Sequence, residues 1–319
     1  MIERAIDAKL YGKSGFGISP SCLAYANLLS KRFIIPPFSV WNRRDGFWQE
    51  RRRRWKKLGI KSELGRNRHL TFNTDTLGDS SIGSETTTSV FDPVICELCY
   101  TWFCPPGGTV VDPFAGGSVR GIVASVLGYG YWGCDLNTEQ IQANRSQLTE
   151  STIGSFPPTW VNGDSHKELD NAPASDFLFS CPPYGNLEVY SQDARDISSY
   201  GYGDFVQRYY QIIKQATIKL KDDRFACFVV GNYRDRKTGH LRNLVGDTIR
   251  IFEKCGLSFY NDIVLVDPIM SAAVRANPTF VRGRGKVVKA HQNVLVFANG
   301  QPKTDWIQVE GLEQQEEVS

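Results

Sequence analysis

From about residue 71 to 300 the chain alternates short, continuous apolar runs with longer stretches in which apolar positions recur at helical spacing. "GGTVVDPF" predicts a strand ending near 112 and "SVRGIVASVLGYG" a helix behind it. "YWGCDL" then predicts a strand and "NTEQIQANRSQL" its helix. "DFLFS" is a third strand, followed by an amphipathic helix from about Tyr202 to Leu220. "FACFVVG" and "LRNLVGDTIRIFEKCG" form the next strand and helix pair. Continuous apolar strands alternating with helices predict a mostly parallel sheet covered on both faces. The last two strands, "NDIVLVDP" and "NVLVFANG", are separated by residues 267–290, which read as a polar loop without an apolar helix. A parallel crossover needs a helix, so the final strand is predicted antiparallel.

The pattern differs at both ends. Residues 1–70 are basic and aromatic, and 301–319 form an acidic tail whose composition predicts disorder. Ser19 and Pro20 predict a helix start through cap and first-turn chemistry. "WNRRDGFWQERRRRWKKLGI" places Trp41, Trp48 and Trp55 seven apart. On a helix from about Asp45 to Leu58, Trp48, Trp55 and Leu58 share one face. Arg51, Arg53, Arg54 and Lys57 are expected on the other, toward phosphate. Residues 71–89 are rich in Ser, Thr and Gly and read as a flexible connection to the 71–300 domain.

Charge changes this picture. The net charge is only +3, yet Lys31 to Arg68 holds thirteen Lys or Arg against three Asp or Glu. Such concentration is the electrostatic footprint of a polyanion partner. No run of apolar residues is long enough to span a membrane, and the N-terminus lacks a signal pattern, so a soluble, cytoplasmic protein is expected. Eight cysteines, mostly inside apolar runs, fit reduced buried thiols. "CELCYTWFC" has no matching second pair, so no metal site is expected there.

Two stretches carry chemistry. "VVDPFAGGSVRG" is a strand breaking into a glycine-bearing bend and a helix, where backbone can approach a ligand. It is not a dinucleotide GxGxxG, because the spacing is GGSVRG. Asp135 ends the following strand, where doubly wound folds use an acid on a ribose diol. "FLFSCPPYGNLEVYS" is a strand stopped by Pro182 and Pro183, with Tyr184 just beyond its end.

Together, "FDPVICELCYTWFCPPGGTVVDPFAGGSVRG", "GCDLN", "NGDS" and "SCPPY" resemble the S-adenosylmethionine-dependent DNA amino-methyltransferases. The chain from "PPFSVWNRRDGFWQERRRRW" to "HQNVLVFANG" resembles phage and prophage DNA methylases. The resemblance implies a seven-stranded Rossmann-like sheet, mostly parallel, with an antiparallel last strand. It implies S-adenosyl-L-methionine as cofactor, DNA as partner and a cognate restriction enzyme as a candidate second partner. Phe91, Asp92 and Pro93 match its cofactor segment ahead of the first strand. Asp112, Pro113, Phe114, Ala115, Gly116 and Gly117 match the loop at the methionine part. Asp135, with Leu136, matches the ribose acid, and Asp164 and Ser165 match residues beside the adenine ring.

The diproline corner matches the catalytic motif. A base amine is a poor nucleophile, so acceptors must hold its protons while it lies in line with the transferring methyl. Proline fixes φ and aims the carbonyls of Cys181 and Pro182, while Tyr184 offers a face for a flipped base. The family usually has Asp, Asn or Ser before the prolines. Here Cys181 stands there, with Ser180 one step earlier, and a thiol is a weak acceptor. Tyr190 matches the spacing of cytosine-amine enzymes, while the motif order is shared with adenine-amine groups, so both bases stay open. Arg275, Arg282, Arg284, Lys286 and Lys289 in the 267–290 segment are expected to contact DNA, through phosphate rather than base edges. An RNA base-amine methylase, or a catalytically silent DNA-binding protein of the same fold, stand as alternatives.

Overall fold

The computed structural model of the chain describes residues 29–30, 33–61, 64, 90–150, 152–185, 193–235, 237–267, 270–283 and 285–307. The helix expected from Ser19 falls almost wholly outside them, as do the 71–89 connection, Tyr190, Arg284 and the tail beyond 307.

The strands are β1 (Val40–Asn42), β2 (Thr109–Asp112), β3 (Gly130–Asp135), β4 (Thr159–Asn162), β5 (Ser175–Ser180), β6 (Leu220–Val230), β7 (Tyr233–Arg234), β8 (Leu241–Arg242), β9 (Ser258–Val266) and β10 (His291–Asn299). The helices are α1 (Gly46–Lys57), α2 (Pro93–Phe103), α3 (Val119–Val126), α4 (Thr138–Ser146), α5 (Ser165–Glu168), α6 (Tyr202–Lys219), α7 (Leu244–Lys254) and α8 (Met270–Val281). One sheet runs β1-β9-β10-β6-β5-β2-β3-β4, and β7 and β8 form a separate antiparallel pair. From β6 to β4 every neighbour is parallel. β10 lies antiparallel to both β6 and β9, the orientation expected, although the connection between β9 and β10 carries α8.

Period-two alternation assigns the two faces. On β5, Phe177 and Phe179 join a core with α1, α2 and α3, while Leu178 joins a second core with α6 and α7. All six residues of β5 are buried, which is why it reads as an apolar run.

Local chemistry sets the helix starts. Asp92 caps α2 by accepting from Val94 N, with Pro93 at the first helical position. Asn137 caps α4 and Asn243 caps α7 in the same way.

Three expectations change. The sheet gains an eighth strand: β1 pairs parallel with β9, and three residues are too few to show a period in sequence. Trp41, Trp48 and Trp55 sit in the main core, so residues 40–57 are part of the body of the fold. Second, the 267–290 segment contains α8. The segment reads as a polar loop, but the eight residues before Pro278 contain neither Gly nor Pro and carry three alanines, which favour helix.

Third, Arg51 faces inward. It lies three residues after Trp48 and four before Trp55, hence on their face. Its guanidinium makes two 2.6 Å bonds to Glu97 of α2, which also accepts from Trp55 Nε1 at 2.8 Å. Arg53, Arg54 and Lys57 are solvent-exposed, Arg54 in an i,i+4 pair with Glu50.

Candidate active site at the carboxyl rim

Parallel pairing brings the carboxyl ends of five strands to one rim. β2 and β5 are hydrogen-bonded neighbours, with Val111 opposite Leu178. The glycine-bearing bend after β2 and the diproline corner after β5 therefore leave the sheet side by side. Ser180 Oγ donates to Asp112 Oδ1 at 2.5 Å and ties the two together. This bond turns Ser180 toward the neighbouring strand and gives it a bracing role at the corner.

Asp112 is fully buried and its carboxylate accepts four bonds. Arg120 Nε (2.6 Å) and Tyr131 OH (2.7 Å) reach Oδ2, while Ser180 Oγ and Phe114 N (3.1 Å) reach Oδ1. A carboxylate offers about four lone-pair directions, so Asp112 is saturated by the protein. Arg120 is equally buried and also donates to the carbonyls of Phe114 and Ala115. Burial opposes its charge, but the adjacent Asp112 holds its pKa above the ordinary arginine range. Its guanidinium lies 4.7 Å from the Phe91 ring centroid, and Phe91 meets Phe179 edge to face.

The bend itself is pinned by backbone bonds. Ala115 N donates to Cys134 O, Gly116 N to Asp135 Oδ2 at 2.9 Å, and Asn144 Nδ2 to Gly116 O. Gly116 has φ +49°, and a Cβ there would meet its nearest neighbours only at 4.0 Å. Glycine is thus required by conformation while the surrounding space stays open.

Asp135 contrasts with Asp112. It is half-buried and accepts from Gly116 N on one oxygen and from Asn137 N (2.8 Å) on the other. Burial raises its pKa, opposed by those two N–H groups, with Asp112 and Asp196 adding to the rise. Leu136 follows, its carbonyl accepting from Asn162 Nδ2.

Asp164 caps α5 and pairs with Arg208 of α6 at 2.6 Å. Ser165 Oγ donates to Pro113 O at 2.6 Å, fastening the β4 end to the bend. Asp92 is buried, and beyond capping α2 it accepts from Trp48 Nε1 (3.0 Å) and Arg43 Nε (3.1 Å). Its carboxylate anchors the N-terminal segment to the sheet, and Pro93 is buried beside it. Gly117 is half-buried and precedes α3.

On the other half of the rim, Pro182 is buried while Cys181, Pro183 and Tyr184 are half-buried. Tyr184 OH donates to Gln292 Oε1 of β10 at 2.9 Å. Lys286 approaches the tip of the β7–β8 pair at Gly239. Arg282 is exposed just past α8, within which Arg275 falls. The cysteines of "CELCYTWFC" are buried thiols whose pKa values burial raises, with Cys99 Sγ 3.7 Å from Cys227 Sγ. Among the described residues no helix is long and apolar enough to cross a membrane.

Sequence reading did not single out Arg120, Tyr131, Arg208 or Gln292. Arg120 had a signal: it is a lone charge inside the apolar helix "SVRGIVASV". The others come from distant strands and helices, and no local pattern marks them.

The chain matches no protein-family model and no curated protein. Among solved structures it is similar to TrmN from Thermus thermophilus, at 13% identity over 66% of this chain and 49% of that one, with a TM-score of 0.42. It is similar to precorrin-6y C5,15-methyltransferase from Geobacter metallireducens, at 11% identity over 76% and 96%, with a TM-score of 0.43. It is also similar to magnesium protoporphyrin IX methyltransferase from Synechocystis with bound SAM, at 12% identity over 61% and 71%, with a TM-score of 0.40. The chain thus spans about half the length of the Thermus protein. Likeness at this level assigns no activity.

Proposed function

We propose that the chain is an S-adenosylmethionine-dependent DNA methyltransferase acting on the exocyclic amine of adenine or cytosine. The observation that carries the reading is the side-by-side exit of the glycine bend and the diproline corner from β2 and β5, joined by the Ser180–Asp112 bond.

The residues fit the cofactor. Each Asp135 oxygen accepts one backbone bond and keeps a lone pair for a second, which suits two ribose hydroxyls. The open space at Gly116 suits the aminoacyl end, with Gly117 and Phe114 beside it. Asp112 shapes this bend through Arg120, and its saturated carboxylate is a brace for the site. Phe91 meets the same bend through Arg120, which lies over its ring, and Pro93 follows at the start of α2. When bound, S-adenosylmethionine supplies an electrophilic methyl on a sulfonium.

The protein's own task is to place an amine in line with that methyl. The Cys181 and Pro182 carbonyls, fixed by proline, accept the amine protons, and Tyr184 stacks on the base. With the methyl donor bound, these groups would hold the amine in line with the methyl, so that the nitrogen–carbon bond could form as the carbon–sulfur bond broke and one amine proton left to solvent. A paired base cannot reach the rim, so the target must be flipped. Arg53, Arg54, Lys57, Arg282 and Lys286 supply phosphate contacts on this reading.

Single-molecule sequencing of DNA from cells expressing the chain tests the proposal. It is expected to find one methylated base type at a fixed sequence, absent when Tyr184 is replaced by Ala. Unmodified DNA in expressing cells would overturn it.

A further inference from the structure

Three side chains from separate elements converge on Gly231, the residue after β6. A Cβ built there would lie 2.8 Å from Lys289 Nζ, 3.6 Å from Tyr184 Cε1 and 3.7 Å from Gln292 Cγ. Because β5 and β6 are parallel with Ser180 opposite Phe228, Gly231 stands level with the diproline corner. The absence of a side chain at Gly231 is what lets the ammonium come this close to the end of β6, where Tyr184 and Gln292 also converge.

The Lys289 ammonium is held there by the protein. One of its three N–H groups is directed at Asn232 O at 3.2 Å. Burial lowers its pKa to about 8, with Asp267 opposing. Asp267 in turn pairs with Arg43 at 2.7 Å, which leaves the lysine's charge incompletely matched. A cation held at the corner that Tyr184 borders and partly withdrawn from water is poorly placed for a backbone phosphate and well placed for a ligand lying on that ring.

We propose that Lys289 reads the target base, donating from Nζ to the ring nitrogen beside the exocyclic amine on its Watson–Crick edge. The inference rests on the methyl-transfer reading above. Adenine and cytosine present a lone pair at that position, whereas guanine and thymine present an N–H. Lysine has donors only, so the second pair of bases would leave two donors facing each other and a buried group unpaired. Lys289 therefore accounts for selection of amino-bearing bases with a neighbouring acceptor. Gln292 is a positioning residue here: it fixes the Tyr184 hydroxyl and so the plane on which the base lies.

The test uses the full chain and duplex oligonucleotides carrying the site found by sequencing, with the target base present or replaced by an abasic site. Lys289→Met is expected to weaken binding of the intact duplex about 10-fold and to lower kcat/KM about 10- to 100-fold. Affinity for the abasic duplex and the salt slope are expected to be unchanged. Gly231→Ala provides a second variant that keeps the charge: its methyl group displaces the flexible end of Lys289 and is expected to give the same base-dependent loss.

An equal loss on the abasic duplex, or a salt slope reduced by about one, would make Lys289 a phosphate contact and overturn the proposal. Unchanged kinetics in both variants would overturn it as well. Wild-type protein that methylates no DNA would instead sink the methyl-transfer reading, a different and separable failure.

Discussion

The two halves of the carboxyl rim are built on opposite principles. Over β2 and β3, polar groups are consumed by each other: Asp112 takes four donors in a fully buried setting. Over β5, β6 and β10, polar groups are gathered but half-buried, around Gly231, whose missing side chain makes room for the end of Lys289. The first half resembles a hinge pin and the second a socket. The difference teaches that a motif aspartate can hold the shape of a rim by saturating its own carboxylate, while the neighbouring half gathers polar groups without burying them fully.

Asp112→Ala is the sharpest way to break the closed half. It would leave Arg120 as a buried, uncompensated charge, and a loss of about 3–5 kcal/mol of folding stability is expected. Urea unfolding measures it. A loss below about 1 kcal/mol would mean that Asp112 is not the brace described.

Tyr184→Ala attacks the open half and should leave the closed half alone. A fall in kcat/KM of at least about 100-fold is expected, with S-adenosylmethionine affinity within about 2-fold of wild type. Titration calorimetry and methylation kinetics on the same preparations separate the two. Equal loss of both would place Tyr184 at the cofactor.

Asp135→Asn probes the one acid of the closed half that keeps capacity. Cofactor affinity is expected to fall about 10- to 100-fold, as for lost charge-assisted bonds, while folding stability changes by about 1 kcal/mol. The pH dependence has a definite sign. Because burial raises its pKa, Asp135 binds its proton more tightly in the fold than in the unfolded chain. Its contribution therefore stabilises the fold on acidification and is lost as pH rises. Cofactor affinity runs the other way, falling as acid protonates the diol acceptor. A flat affinity profile through the acidic range would remove Asp135 from the cofactor site.

The smallest effect expected concerns the arginine run. Replacing Arg53, Arg54 and Lys57 by Gln should flatten the salt dependence of DNA binding by up to about 3 in log–log slope without altering stability. Arg51→Gln should do the reverse, leaving the slope and weakening the α1–α2 contact at Glu97. Identical behaviour of the two variants would erase the distinction drawn between the faces of α1.

Much of this was legible in the pattern of residues, for reasons that are local. The apolar run of β5 and the glycine bend each announce themselves within a few residues, whereas Asp92, read as part of a cofactor segment, turned out to cap α2 and to anchor Trp48 and Arg43. The antiparallel orientation of β10 was expected from a connection read as helix-free; the orientation holds although that connection contains α8. What escaped depends on long-range register or on angle. β1 is too short to carry a period. Arg51 belongs to the tryptophan face by helical geometry, which the eye loses in a run of four arginines. α8 was missed because its segment reads as a polar loop, and the gathering of Tyr184, Lys289 and Gln292 is created only when β10 returns between β6 and β9.

The most direct test of the account supplies purified protein with tritium-methyl S-adenosylmethionine and DNA, then digests the DNA to nucleosides. The label is predicted on the exocyclic nitrogen of adenine or cytosine, and to vanish with Tyr184→Ala. Label on a ring carbon of cytosine, or label entering RNA and not DNA, would contradict it.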